Sequence, residues 1–358
     1  MSDTKAPINL LHQMTLEQPT QFWSDSCEVT SLARAIEWGA TGATSNPVIV
    51  LEAIEADRPR WLEVTQKLIA LHPTDTEEQL AWRLVAQAAI ESAELLLPLF
   101  VASKGRRGRL CVQVNPRNWT DPQAMIAQGK SLAELGENIA IKVPAVKAGI
   151  EAIEELTAAG VVINATVLFT LPQALAVAEA LERGLKRAEA AGLDAAAMTP
   201  WVTIMVGRID DYLRDVAQTE SLSIDAALIR HASTAIVRKA YRLFKSRGYR
   251  STLLAAAMRS HHHWSEFIGG DLVVTIPPSW QERFNSSGVD VKSRIDDEVD
   301  QEIISTLRAL PQFVAAYEED GLSVDEFAHF GASKKTLHQF LEGYDKLLCF
   351  VREQMLPR

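Results

Sequence analysis

Short apolar runs alternate with longer amphipathic stretches along most of the chain. Eight of these runs have the length, the apolar content and the turn-forming flanks of β-strands. They are Phe22–Asp25, Gly42–Asn46, Leu110–Asn115, Ile139–Val143, Val161–Thr166, Trp201–Val206, Ser251–Ala257 and Leu272–Ile276. Because such alternation of strand and helix is typical of a closed parallel barrel, the sequence predicts an α/β fold, a single (β/α)8 TIM barrel with additional N-terminal and C-terminal helices.

The intervals between the runs carry helix start and stop signals. Thr74-Asp-Thr-Glu77 has the spacing of a capping box, and Thr120-Asp-Pro-Gln123 combines an N-cap with a first-turn proline. Residues 223–246 form one helical pattern, closed by Gly248. The interval between the second and third runs is long enough for two helices, more than a minimal barrel needs.

The segment after the eighth run predicts a helical tail. A polar connector from residue 285 leads to an acidic run at 296–300 and then to closing helices that reach Met355. One face of the last helical pattern is apolar, with Phe340, Tyr344, Leu347, Leu348 and Val351. We expect this face to pack on the barrel or to contact a second subunit in a homodimer. No linker or repeat divides the chain, so we predict one barrel domain over 1–358, with a C-terminal helical extension over 285–358.

Composition narrows the class of protein. The 358 residues are 47% hydrophobic, enough for a large core, and their formal charge of −10 makes nucleic acid an unexpected partner. The N-terminus lacks a hydrophobic signal region and no 18 apolar residues run without charge, so we expect no membrane contact. Cys27, Cys111 and Cys349 are far apart and lack metal-ligand spacing. We therefore expect a soluble cytoplasmic protein without disulfides.

Lys142 is a charged residue inside an otherwise apolar run, Ile139–Val143. Burial lowers the pKa of a lysine because it disfavours the charged form, and the free amine can attack a carbonyl carbon to form a Schiff base. The structural alternative is a lysine at a strand end whose ammonium reaches water or a carboxylate.

Polar side chains at the C-terminal ends of the other strands should meet Lys142, because the loops there converge on the mouth of a barrel. These residues are Asp25, Asn46, Gln113, Asn164, Thr166, Thr203, Arg208 and Arg259. An amine with one carboxylate suits Schiff-base cleavage of a carbon–carbon bond, in which the carboxylate takes the hydroxyl proton. Two arginines at strand ends suit a phosphate.

Several of these residues have structural alternatives. Asp25 could cap a helix or lie in a solvated loop, and Asn46 could have only a structural role in the turn before Pro47. Arg208 could pair with one of the acids Asp210–Asp211, and Arg259 could be a surface residue.

The triplet His261-His-His263 is a weak metal signal. Adjacent histidines cannot all face one ion, and no acid or cysteine is spaced to complete a ligand set. We expect no metal and no cofactor.

Four motifs on successive strands resemble the transaldolase family. They are Gly42–Val50, Ile141–Ala145, Asn164–Phe169 and Val206–Asp210. The resemblance covers nearly the whole chain and extends to Asp25, to Ile276–Trp280 and to Tyr344–Leu348, as in the longer bacterial transaldolases. It implies transfer of a dihydroxyacetone unit between phosphorylated sugars.

The resemblance also implies a role for each candidate residue. Lys142 would form the Schiff base, Asp25 would deprotonate the substrate hydroxyl, and Thr166 with Gln113 would hold the water that carries protons.

The remaining roles concern substrate binding. Asn46 and Asn164 would hydrogen-bond the retained three-carbon unit, with Thr203 nearby. Arg208 and Arg259 would hold the phosphate.

Two positions depart from the transaldolase pattern. Gln113 stands where transaldolases have a glutamate, as it does in fructose-6-phosphate aldolases, and a glutamine can position a water but cannot exchange a proton. Met205 stands where transaldolases have an aromatic residue and those aldolases a tyrosine. The alternatives are therefore a class I aldolase that releases the three-carbon fragment, and an inactive barrel that binds a sugar phosphate or a partner.

Overall fold

The computed structural model describes residues 6–222 and 224–356. Eight parallel strands close into a barrel in chain order, and the last pairs with the first. The strands are β1 (Gln21–Ser24), β2 (Gly42–Thr44), β3 (Arg109–Gln113), β4 (Ile139–Pro144), β5 (Ile163–Leu168), β6 (Trp201–Ile204), β7 (Thr252–Ala255) and β8 (Val273–Ile276). Each overlaps one of the eight predicted runs, so the predicted (β/α)8 barrel is confirmed.

Helices form the outer layer and flank the barrel at both ends of the described chain. They are α1 (Leu10–Glu17), α2 (Val29–Glu37), α3 (Pro47–Ala56), α4 (Arg58–Leu71), α5 (Glu77–Ala102), α6 (Pro122–Ala133), α7 (Lys147–Ala158), α8 (Leu171–Ala190), α9 (Val206–Thr219), α10 (Ala226–Ile229), α11 (His231–Arg247), α12 (His262–Ser265), α13 (Pro278–Asn285), α14 (Gln301–Leu307), α15 (Pro311–Tyr317) and α16 (Gly331–Met355). Short 3-10 turns lie at Pro116–Asn118, Ala195–Ala197 and Val324–Glu326.

The helix predictions are confirmed in outline and corrected in detail. The capping box of α5 is formed by Thr76 and Gln79, two residues beyond the predicted pair, because the chain still turns at Thr74. Three helices, α3 to α5, fill the interval in which we expected two. The pattern predicted over 223–246 is divided into α10 and α11 and ends at Gly248 in the left-handed conformation, while residue 223 lies outside the described residues.

The N-cap prediction before α6 is confirmed at Asp121. Its side chain accepts a hydrogen bond from the backbone N–H of Ala124, and Pro122 opens the helix.

The interior of the barrel is filled at its lower end by apolar side chains. Trp23 and Trp201 pack edge to face there, with ring centroids 4.7 Å apart, beside Cys111, Ala140 and Leu254. Above this layer the inward positions become polar. The apolar layer closes the barrel below, so the polar residues open only toward the C-terminal ends of the strands.

Helix α16 packs across α3, α4 and α5. Its apolar face is buried as predicted, and Tyr344 within it accepts a hydrogen bond from Trp82 Nε1 over 2.9 Å. The tail therefore contacts the barrel, whereas the domain division at residue 285 stays a prediction.

Among the described helices, α5 is long and apolar enough to cross a membrane by length and composition alone. In this fold it packs against α2, α16 and β3. These contacts are those of a helix in the outer layer of a barrel.

Candidate active site

A cavity of about 560 Å³ opens at the C-terminal end of the barrel. Seven of the nine sequence-predicted residues line it: Asp25, Asn46, Lys142, Thr166, Thr203, Arg208 and Arg259. The other two, Gln113 and Asn164, are buried on the strands that flank β4. The structure thus brings all nine to one end of the barrel.

Lys142 is buried on β4, with 6% of its surface exposed. Its Nζ donates a hydrogen bond to the backbone carbonyl of Ser45 over 3.1 Å. Burial lowers the pKa of Lys142 below its usual value, while the charges of Asp25 and Cys111 oppose that fall. The structural alternative, an ammonium that reaches water or pairs with a carboxylate, is not observed, and the amine is a weaker base than that of an ordinary lysine.

Gln113, Lys142 and Asn164 lie side by side on adjacent strands. Lys142 is the register partner of Gln113 on β3 and of Asn164 on β5. The Gln113 Oε1 atom is buried and has no hydrogen-bond partner within the described part of the chain. Since buried amide oxygens are normally paired, this oxygen is available to a water or a substrate beside the lysine.

Asp25 follows β1 directly and is oriented by its neighbour on β2. Thr44 Oγ1 lies 2.6 Å from Oδ1 of Asp25 and 2.8 Å from Oγ1 of Thr275. Because a carboxylate can only accept, Thr44 donates to Asp25 and accepts from Thr275. Glu28, not Asp25, caps the helix that follows, and Asp25 lines the cavity.

The amides of Asn164 and Asn46 are also held. Asn164 Oδ1 accepts from Thr203 Oγ1 over 2.5 Å, and its Nδ2 donates to Cys111 Sγ over 3.3 Å. Asn46 Oδ1 accepts from the N–H groups of Val48 and Ile49, so it is the N-cap of α3. The turn role and the cavity position of Asn46 are compatible, because capping uses only the oxygen and leaves Nδ2 free to donate.

An irregular strand end positions Thr166. The pairing of β5 with β6 shifts register between Ala165 and Leu168, and Val167 has a φ of 52°. A β-branched residue rarely occupies this left-handed region. Gln173 Nε2 stabilises the distortion by donating to the Val167 carbonyl over 3.1 Å.

Arg208 lies in the first turn of α9 and is enclosed by the C-terminal helix. Its Nη1 donates to Thr336 Oγ1 over 3.3 Å and to Gln339, and its guanidinium lies 5.5 Å from the ring centre of Phe340. Burial and then the charge of Arg259 lower its pKa to about 10. The alternative pairing with Asp210 or Asp211 does not form.

Arg259 follows β7 and is 43% exposed at its side chain. Its Nε donates to Asp211 Oδ2 over 3.0 Å and its Nη1 to the Met258 carbonyl over 2.9 Å. Arg259 is an exposed residue, as the surface alternative expected, and it also lines the cavity and is oriented by an ion pair. Two guanidinium groups on one wall favour a dianion there.

Glu52 and Phe340 also line the cavity, although neither was predicted from the sequence as a site residue. Burial, followed by the charge of Asp25, raises the pKa of Glu52 above its usual value. Glu52 lies on α3 and Phe340 on α16, so neither occupies the end of a strand, where polar residues of a barrel site are expected.

No group of three or more His, Cys, Asp or Glu side chains within residues 6–222 and 224–356 is arranged to hold a metal ion. Of the three adjacent histidines, His263 points inward to Asp210, whereas His261 is exposed and stacks on His262.

Comparison with known proteins identifies relatives for most of the chain. The sequence model of the family described as "Transaldolase/Fructose-6-phosphate aldolase" matches residues 22–349. "Transaldolase 1" of Streptomyces avermitilis is 35% identical over 222 residues, which are 60% of this chain and 57% of that protein. "Transaldolase 1" of Streptomyces coelicolor is 30% identical over 256 residues, 68% of this chain and 66% of that protein. "Transaldolase" of Thiobacillus denitrificans is 32% identical over 235 residues, 63% of this chain and 64% of that protein. The matches thus span less than two thirds of each relative.

Proposed function

The chain belongs to the transaldolase/fructose-6-phosphate aldolase family, and from this membership we propose that it moves a dihydroxyacetone unit between phosphorylated sugars through a Schiff base on Lys142. The donor is a ketose phosphate such as fructose 6-phosphate or sedoheptulose 7-phosphate, and the acceptor is an aldose phosphate. The observation that carries the proposal is a buried lysine of lowered pKa in a cavity with Asp25 and two guanidinium groups.

The reaction begins with addition of the Lys142 amine to the ketose carbonyl carbon. Loss of water gives an iminium, which withdraws electrons from the neighbouring carbon–carbon bond. Asp25 takes the proton of the hydroxyl on the far carbon of that bond, the bond breaks, and its electron pair forms an enamine on the lysine. The free aldose leaves, a second aldose reacts in reverse, and water finally releases the new ketose.

The three-carbon unit is held by groups that already have one partner each. Asn46 uses its oxygen for the α3 cap and can give its Nδ2 to a substrate hydroxyl. Asn164 and Thr203 are joined to each other, so their orientation is set before the substrate arrives.

Gln113 and Thr166 are proposed to hold the water that moves protons during Schiff-base formation. The unpaired Gln113 Oε1 beside Lys142 supports this role. A glutamine cannot itself exchange a proton, and this favours a second candidate function, a class I aldolase that releases the three-carbon fragment.

Arg208 and Arg259 are proposed to bind the substrate phosphate. Burial is the main cause of the lowered pKa of Arg208, and the positive charge of Arg259 adds to it, so the two guanidinium groups repel each other. A phosphate dianion relieves that repulsion, so the site favours phosphorylated over neutral sugars.

Borohydride trapping tests the proposal. The wild-type protein with fructose 6-phosphate should gain the mass of the reduced ketol fragment or ketose on the peptide that contains Lys142. Lys142→Met should gain none, whereas Lys147→Met, which removes an exposed lysine from the next helix, should react normally. Turnover that requires an added aldose supports transfer, and turnover without one supports the aldolase. A wild-type protein that forms no adduct with any ketose phosphate would be a binding barrel.

The cellular setting is part of the same proposal. All three cysteines are free, as is usual for proteins of a reducing compartment, so we assign the enzyme to the cytoplasm. A homodimer stays a prediction.

A further inference from the structure

A buried histidine holds the main chain of Arg259. The backbone N–H of Arg259 donates to Nδ1 of His263 over 3.0 Å, and His263 is 1% exposed. Because Nδ1 accepts this bond, the proton of the neutral ring is on Nε2. Nε2 lies 2.8 Å from Oδ2 of Asp210, to which it donates.

Asp210 is itself fully buried and anchored by a third segment. Its Oδ1 accepts from the backbone N–H of Ser233 over 3.0 Å, and its Oδ2 accepts from Ser233 Oγ over 3.0 Å. The hydrogen bonds thus join the N-terminal parts of α9 and α11, through His263, to the loop after β7. Every polar atom of the carboxylate and of the imidazole is used in this chain of contacts.

The loop that carries Arg259 needs such support. Ala257 within it has a φ of 63°, a left-handed conformation that is unfavourable for a residue with a side chain. The two adjacent acids act on different parts of Arg259. Asp211 pairs with its guanidinium, whereas Asp210 holds its backbone through His263.

We propose that Asp210 and His263 are positioning residues that fix the main chain of Arg259, and so set the preference of the site for phosphorylated over unphosphorylated sugars. The inference rests on the proposed function in that Arg259 binds the substrate phosphate.

Asp210→Asn tests the role with an isosteric change. The new side-chain amide has two possible orientations, and each brings two donors together. In the first, the amide N–H faces the backbone N–H of Ser233. In the second, the amide N–H faces the Nε2–H of His263. The ring can relieve the second conflict by moving its proton to Nδ1, which then faces the Arg259 N–H. The expected result is a changed His263 tautomer and a released Arg259 loop.

Three measurements read this out. Nitrogen NMR of ¹⁵N-histidine-labelled protein should show His263 protonated at Nε2 in the wild type and at Nδ1 in Asp210→Asn. Calorimetric affinity for inorganic phosphate should fall roughly tenfold or more, as expected for a misplaced binding group. Adduct formation with dihydroxyacetone, which has no phosphate, should stay within about twofold of wild type. His261→Asn, at an exposed position two residues away, should change none of these.

Several results would overturn the inference. Unchanged phosphate affinity in a folded Asp210→Asn protein would do so, as would equal losses with dihydroxyacetone and fructose 6-phosphate. If Asp210→Asn does not fold, two variants of His263 replace it. His263→Gln keeps one acceptor and one donor and should retain most of the phosphate affinity, whereas His263→Leu removes both and should lose roughly tenfold or more. Wild-type phosphate affinity in a folded His263→Leu protein would refute the role. Failure of the proposed function is distinct, because it appears as a wild-type protein that forms no ketose adduct, whereas the phosphate titration does not depend on adduct formation.

Discussion

Gly207 precedes Arg208 and lies against the loop that carries Arg259, so its replacement by alanine should weaken both the fold and the proposed phosphate site. A Cβ at this position would overlap the carbonyl oxygen of Ala257 and lie 2.5 Å from Cγ of Arg259. Ordinary carbon–carbon contacts are about 3.5–4.0 Å, so the loop after β7 must move by about 1 Å or more. Arg208 is the next residue along α9, and the distance between the two arginines changes with that shift.

The expected cost of Gly207→Ala is about 1–3 kcal/mol of unfolding free energy, the usual range for overpacking. A displacement of about 1 Å at a binding group costs up to about 100-fold in function, so inorganic phosphate should bind roughly 10- to 100-fold more weakly. Urea unfolding measures the first quantity and calorimetric titration the second.

Gly248→Ala is the matched control for this prediction. Gly248 has a φ of 66° and open space around it, so alanine there should cost about 1 kcal/mol through backbone strain. It should leave phosphate binding unchanged, since Gly248 precedes the N-terminal end of β7 and does not line the cavity. If Gly207→Ala binds phosphate as the wild type does, the reasoning about the close approach at Ala257 is wrong.

Three further outcomes are expected. Gln113→Glu should raise transaldolase turnover several-fold if proton relay limits the rate, and an unchanged or lower turnover in a steady-state assay would contradict the relay account. Because burial lowers the pKa of Lys142 below its usual value of 10.5, the pH at which the initial rate of adduct formation reaches half of its maximum should lie below 10.5; a midpoint at 10.5 or above would show an unperturbed amine. Thr203→Val should destabilise the protein by about 1–3 kcal/mol, because it leaves Asn164 Oδ1 unpaired. It should also reduce borohydride trapping more than Thr203→Ser does, and a larger loss in Thr203→Ser would mean that packing of the Thr203 methyl group matters more than the hydrogen bond.

The barrel could be predicted because short strand-like runs alternate with helical patterns, and because seven of the eight runs have a polar residue at or near their C-terminal end. Lys142 stood out for the same reason, since a charge within such a run has few structural explanations. The position of a residue along a parallel strand determines at which end of the barrel it lies. Residues far apart in the chain, such as Asp25 and Arg259, could therefore be predicted to share one site before any of their contacts was known.

What could not be predicted depends on pairings between segments far apart in the chain. The contact of Arg208 with Thr336 joins residues 128 positions apart, and the sequence around either residue carries no signal that predicts it. The pairing of Asp210 with His263 was missed because three adjacent histidines carry the same sequence signal, and only the fold selects the buried one. Glu52 was missed because it lies on a helix, where an acid ordinarily faces solvent.

The contact between α16 and Arg208 has a consequence for how the enzyme is made. Residue 276 ends the last strand and residue 355 ends α16, so at about 5–20 residues per second the ribosome needs about 4–16 s more to synthesise the helix after the barrel strands are complete. During that interval a nascent barrel can have its lysine in place while Arg208 still lacks Thr336, Gln339 and Phe340. Synthesis of the last helix therefore determines when Arg208 can first make these contacts, and ribosome-bound chains that stop before residue 331 should have a closed barrel but should lack part of the proposed phosphate site.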